Sequence, residues 1–112
     1  MKKIEAIIRT TKLEEVKRAL HLHGVDGMTI TETVGLGPTV AYRGVETPQT
    51  LTARLKLEVF VENDHADEAV DAIYRAAHTG EVGDGRIVVS DLECIVKIRT
   101  GETQLACHHV SH

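Results

Sequence analysis

Tryptophan is missing from this 112-residue sequence, phenylalanine occurs once and tyrosine twice. No platform of aromatic rings for stacking single-stranded nucleic acid is therefore expected. Positive charge is also short: 13 Lys and Arg against 17 Asp and Glu give a formal charge of -4. That is the wrong sign for a chain that binds nucleic acid by neutralising phosphates. Apolar runs such as Ile87-Val88-Val89 stop after a few residues, far short of a membrane span. The opening Met1-Lys2-Lys3-Ile4-Glu5 lacks the apolar stretch of a secretion signal, because Glu5 and Arg9 interrupt it, and the expected location is the cytoplasm. With only Cys94 and Cys107, a secreted disulfide framework is excluded.

What is present reads as one small soluble domain. Hydrophobic residues make up 42%, ordinary for a globular chain. A core of this size often gains stability by oligomerising. Ile4, Ala6 and Ile8 alternate with charged neighbours, the period of a half-buried strand. Thr11 and Glu14 have capping-box spacing, and Leu13, Val16 and Leu20 follow at helical spacing up to Gly24, predicting a helix at about 12–23. Residues 28–34 are β-branched and alternating, a second strand. Glycines and prolines then mark a long loop, followed by a third strand on Leu55, Leu57, Val59 and Val61. Asp64 is placed to cap a second helix with Ala66, Val70, Ile73 and Ala77 on one face. A glycine-rich turn leads into Ile87-Val88-Val89, and a last strand is expected over residues 94–99.

The order is β-α-β-β-α-β, an α+β, ferredoxin-like fold with an antiparallel sheet and both helices on one face. The other sheet face is left bare, and residues such as Phe60 and Ile95 are expected to point there and pack against another subunit.

Three places carry candidate chemistry. In residues 79–86, Gly83 and Gly85 flank Asp84, which lets a backbone nest approach an anion, and Arg86 adds a planar cationic fork. The same residues would also make an ordinary helix-to-strand turn. Lys97 and Arg99, two apart on the expected strand, would project to one face, where an anion or carboxylate must separate them unless they simply line a solvated edge. Gly35 and Gly37 let the chain approach a ligand at the start of the long loop. Neither GxxxxGK followed by Ser or Thr nor GxGxxG in a βαβ context occurs. No nucleophile–base pair or twin-carboxylate arrangement stands out, so binding without turnover is the expectation.

Several segments together resemble the PII signal-transduction proteins of nitrogen regulation. These are Met1 through Arg9, Lys12-Leu13-Glu14-Glu15-Val16, Gly27 through Glu32, Thr79-Gly80 with Gly83 through Ile87, and Ile98 through Glu102. The resemblance covers residues 1 to about 102, with 103–112 as a tail. It implies a homotrimer whose sheets close around a central axis. It also implies ATP or ADP, with AMP a further candidate, in clefts between neighbouring subunits. On this resemblance Thr29 meets the adenine, and Gly35 and Gly37 approach the nucleotide from the long loop. Gly83, Asp84, Gly85 and Arg86 form the phosphate loop, with Lys97 and Arg99 entering from the adjacent subunit. The family's client-contacting T-loop corresponds to about 37–53, and the client would be a membrane transporter or a metabolic enzyme.

The sequence departs from the family pattern in that loop. It is shorter than usual, and Thr47 stands where members with the usual switch carry the uridylylated tyrosine. Thr39 stands where the family's glutamine helps bind Mg-ATP and 2-oxoglutarate, so a different co-effector such as bicarbonate is a candidate. Thr10-Thr11 replaces a common Pro-Phe pair. Arg86 and Lys97 each exchange the family's more usual basic residue for the other kind. Finally, Cys107, His108, His109 and His112 place four metal-ligand side chains within six residues. That pattern suits Zn, Cu or Ni and would support a metal-sensing or metal-delivery alternative, although a loose polar terminus has the same composition. A Cys94–Cys107 pair is a further option that spacing leaves open.

Overall fold

The computed structural model describes residues 1–36, 40–42, 45–47 and 51–104. Strand β1 is Lys2–Ile8, and its buried positions Ile4, Ala6 and Ile8 alternate with part-exposed ones as the sequence period requires. Helix α1 runs Leu13–Leu22. The expected capping box does not form: residues 10–12 are a 3-10 turn, and no side chain caps α1. The Lys12 amide instead donates to the Arg9 carbonyl at 3.0 Å, so the backbone supplies what Thr11 would have offered. Gly24, at φ +80°, ends the helix as expected, its amide bonding to the His21 carbonyl at 2.9 Å.

Strand β2 is Thr29–Leu36. Two short strands, β3 (Val40–Tyr42) and β4 (Val45–Thr47), pair with each other outside the main sheet. Strand β5, Leu51–Val61, starts earlier than the expected Leu55 because β2 extends beside it as far as the Leu36–Leu51 pair. Helix α2 is Ala66–Ala77. Here too the expected Asp64 cap is absent: Asn63–His65 form a 3-10 turn in which the His65 amide donates to the Glu62 carbonyl at 3.0 Å. Strand β6 is Arg86–Asp91.

The main sheet has the order β2-β5-β1-β6 with every neighbouring pair antiparallel. This is the ferredoxin-like arrangement, and β6 is its closing strand. The segment expected as a last strand at 94–99 does not join the sheet. After Asp91 the Leu92 amide still reaches the Met1 carbonyl at 3.2 Å, then the chain leaves. A two-residue strand β7, Ile95–Val96, pairs instead with β8, Thr103–Gln104. Ile95 is therefore not on the bare face of the main sheet.

One face of the sheet closes within the chain. Ile4, Ala6 and Ile8 meet Leu55, Leu57, Val59 and Val61, with Val16 and Leu20 of α1 and Ala66, Ala69, Ile73 and Ala77 of α2 laid over them. Each buried Leu or Ile contributes roughly 2 kcal/mol. On the other face the register sets Lys3 beside Phe60 and Ser90, Glu5 beside Glu58 and Val88, and Ile7 beside Lys56 and Arg86. Phe60 is half exposed there. The Lys3–Glu5 (3.0 Å) and Lys56–Glu58 (3.5 Å) ion pairs tie these rows along their strands.

Candidate functional site

The connection from α2 to β6 is built around one carboxylate. Asp84 accepts the Thr79 amide at 2.9 Å, the Gly80 amide at 2.9 Å and the Thr79 hydroxyl. Arg9 Nε adds a bond at 3.1 Å. The Thr79 hydroxyl first, then the Thr79 amide, with Gly80 and Arg9 contributing, hold this carboxyl well below the usual carboxylate range. Asp84 is thus turned into the loop, where it fixes the shape, and its charge is already matched.

The two flanking glycines have internal reasons as well. Gly85, at φ +96°, lies so close to β1 that a Cβ there would stand 1.7 Å from the Ile7 carbonyl oxygen. Gly83, at φ +100°, lies against two guanidinium groups, and a Cβ would meet Arg54 Nη2 at 2.7 Å and Arg9 Nη2 at 3.4 Å. Gly85 demands glycine on backbone and packing grounds, and Gly83 demands it through its positive φ, since the atoms a Cβ would meet there are the ends of two arginine side chains. The close approach expected toward a ligand is at least in part a close approach to the protein itself.

Arg86 follows as the first residue of β6, exposed, with its register partner Ile7 on the bare face. Thr29 and Gly35 lie on β2, opposite Glu58 and Thr52. Because β2 and β6 are the two edges of the sheet, Thr29 and Arg86 are separated by three strand spacings, about 14 Å across the sheet, and are offset along it, since Arg86 lies level with Thr31. Lys97 and Arg99 are elsewhere again. They do not share a strand face: Lys97 follows β7, and Arg99 is in the turn between β7 and β8. That turn is closed by Lys97 amide to Glu102 carbonyl at 2.9 Å and Gly101 amide to Lys97 carbonyl at 2.7 Å. Glu102 also lies 3.9 Å from the Lys97 ammonium, which gives that cation a carboxylate neighbour within its own turn. Ile98, between the two cations, is 99% exposed.

One chain therefore holds the candidate residues in three separate places and gathers only 83–86. Gly37 and Thr39 lie outside the described residues, and so do Cys107, His108, His109 and His112 of the tail, with the Cys94–Cys107 question. Among the described residues no cluster of three or more His, Cys, Asp and Glu side chains is placed to hold a metal, and the metal-sensing alternative gains no support. Among them, too, no helix is long and apolar enough to cross a membrane.

Two residues escaped sequence reasoning. Arg9, just past β1, binds Asp84 and donates from Nη2 to the Val82 carbonyl at 2.9 Å. Arg54, on β5, donates from Nε to the Gly83 carbonyl at 3.1 Å. It also borders a cleft of about 400 Å³ beside Thr10 and Thr33. Arginines in or beside strands carry no motif, and only the fold brings them to the loop.

Comparison with known proteins agrees with this architecture. The family model described as "Nitrogen regulatory protein P-II" matches residues 1–102. A nitrogen regulatory protein P-II of Azospirillum brasilense is 49% identical over 106 residues, covering 91% of this chain and 95% of the relative. One of Microchaete diplosiphon is 50% identical over 106 residues with the same two coverages. That of Rhizobium meliloti is 47% identical over 109 residues, covering 94% of this chain and 97% of its own. A family match over nearly the whole chain, near-complete relatives and a ferredoxin-like sheet with one bare face together mean that this chain belongs to the nitrogen regulatory P-II family.

Proposed function

We propose that this protein is a signalling regulator that works as a homotrimer. It binds adenine nucleotides between neighbouring subunits and acts on a transporter or metabolic enzyme through residues 37–53. The observation that carries this reading is the dispersal of its cations. Arg86 at the rim of the 79–86 loop and Arg99 on the β7–β8 turn belong to different edges of one chain, and both are exposed. A subunit that offers Arg86 to a site and receives Lys97 and Arg99 from its neighbour would complete a polyphosphate cradle that no single chain contains. The fully exposed Ile98 fits the same picture, since a turn carrying an apolar residue between two cations is suited to docking on another subunit.

In this reading the 79–86 loop offers backbone amides and Arg86 to the phosphates. Thr29 and Gly35 on β2, with Gly37, take the adenine end. The working body is residues 1–102, and 103–112 form a tail. The bare sheet face, with Phe60 and its rows of paired charges, packs around the trimer axis. Signalling is a population shift: nucleotide favours one arrangement of residues 37–53 over another, and the client distinguishes them. A co-effector such as bicarbonate would act by binding one of those arrangements better. Among the described residues the site offers phosphate-binding groups and no arrangement for activating water, which suits a sensor better than a hydrolase.

Titration calorimetry with ATP, ADP and AMP tests the reading, with and without 2-oxoglutarate or bicarbonate. Saturable binding that falls at least tenfold in Arg86→Ala and in Arg99→Ala is expected. Absence of binding to all three nucleotides would refute it.

A further inference from the structure

Two guanidinium groups, one just past β1 and one on β5, converge on the 79–86 loop around Gly83. Arg9 binds the loop on both sides of Gly83, at the Val82 carbonyl (2.9 Å) and the Asp84 carboxylate (3.1 Å). Arg54 binds between them, at the Gly83 carbonyl (3.1 Å). The two arginines have different anchors. Arg9 follows β1, in the middle of the sheet. Arg54 lies in the outer part of β5, where it donates to the Ala53 carbonyl at 2.9 Å and its own carbonyl accepts from the Thr33 hydroxyl at 3.3 Å. That part of β5 leads directly back to Leu51, the first described residue after the β3–β4 hairpin.

The geometry points to Arg54 as a positioning residue that couples the 79–86 loop to the first residues of β5, and so to the hairpin that precedes them. This inference rests on the nucleotide reading above and adds the route by which the ligand is felt. Gly83 is the hinge of that route: with φ near +100° and no side chain, its carbonyl turns toward Arg54 and its backbone lies flush against both guanidinium groups. Any side chain there would push Arg54 away, because a Cβ would stand 2.7 Å from its Nη2. A phosphate drawing on the amides of 83–85 reorients these peptide units, and a peptide unit that turns carries its carbonyl with it. The Gly83 carbonyl then either keeps or releases Arg54. Arg9 is set apart by its partner: it lies past the end of β1, is ion-paired to Asp84 within the loop at 3.1 Å, and belongs to no strand that leads to the hairpin.

Hydrogen exchange on the full chain, wild type and Arg54→Gln, with and without ATP, tests the coupling. ATP is expected to slow exchange of the 80–85 amides in both proteins. It is expected to slow exchange at 45–47 and 51–53 about fivefold in the wild type and not in the variant. Equal slowing of 45–47 and 51–53 in both proteins would overturn the coupling. Should ATP leave the 80–85 amides of the wild type unchanged, the nucleotide reading fails. The ligand-free samples then decide the strut: faster exchange at 82–85 in Arg54→Gln supports it, and unchanged exchange overturns it. The β1 amides report whether the variant is folded, and Arg54→Lys carries the same comparison if Arg54→Gln loses their protection.

Discussion

Strand β5 presents two faces built on opposite terms. Leu57 and Val59 on one side are buried under α1 and α2, while Glu58 and Phe60 on the other are part-exposed. The first face is complete within one chain and is held by apolar burial. The second is a lattice of alternating charges, Lys3 with Glu5 and Lys56 with Glu58, around a half-exposed ring. Its chemistry suits a surface that meets another subunit and must meet it in one register. The contrast shows how a small chain divides its labour: one face makes the fold, and the other stays open in a single chain, where the proposed assembly would take place.

The sharpest way to break that contrast is to hollow the covered face. Leu57→Ala should lower stability by about 3–4 kcal/mol in denaturant unfolding, a cavity cost. A loss as small as that of a surface substitution would mean the core is not where the fold is made. Next is Gly85→Ala, which puts a Cβ against the Ile7 carbonyl at a positive φ. It should cost about 2–4 kcal/mol in stability or displace the loop, with loss of nucleotide binding in calorimetry. A smaller effect is expected on the bare face. Phe60→Ala should leave the secondary structure intact and weaken trimer association by about 1–2 kcal/mol, read by sedimentation across a dilution series. An unchanged association constant would move the interface elsewhere.

The gentlest prediction concerns pH. The Asp84 carboxyl is held below its ordinary value of 3.8, so the folded loop binds its proton less readily than the unfolded chain does. The stability drawn from that charge is fully present above the ordinary value and is lost as pH falls through the lowered one. At about pH 4, where a free aspartate is half protonated, the Asp84 carboxyl carbon should still report a charged group by NMR. Thr79→Ala, which removes the largest stabilising hydrogen bond, should bring its titration back toward the ordinary range.

Much of the covered face was legible in the sequence, for a physical reason. Ile4-Ala6-Ile8 and Leu55-Leu57-Val59-Val61 alternate because a half-buried strand must, and Val16 and Leu20 fall one helical turn apart for the same reason. Local readings failed where the backbone had a second way to satisfy itself. Thr11 and Asp64 have cap chemistry, but 3-10 turns met the free amides through the Arg9 and Glu62 carbonyls. Residues 94–99 alternate like a strand, yet β1 already has β5 and β6 as neighbours, and the segment folds back on residues 103–104. Arg9 and Arg54 could not be read at all. Their meaning depends on which loop lies across them, and that is set by the register of β1, β5 and β6.

The claim that matters most is that the nucleotide site is shared between subunits, and subunit mixing tests it directly. Arg86→Ala and Arg99→Ala trimers, each deficient in ATP binding, are unfolded together, refolded as mixed trimers and titrated with ATP. If each site takes Arg86 from one chain and Arg99 from its neighbour, random mixing restores about a quarter of the sites at wild-type affinity. No recovery in trimers shown to be mixed would contradict a shared site.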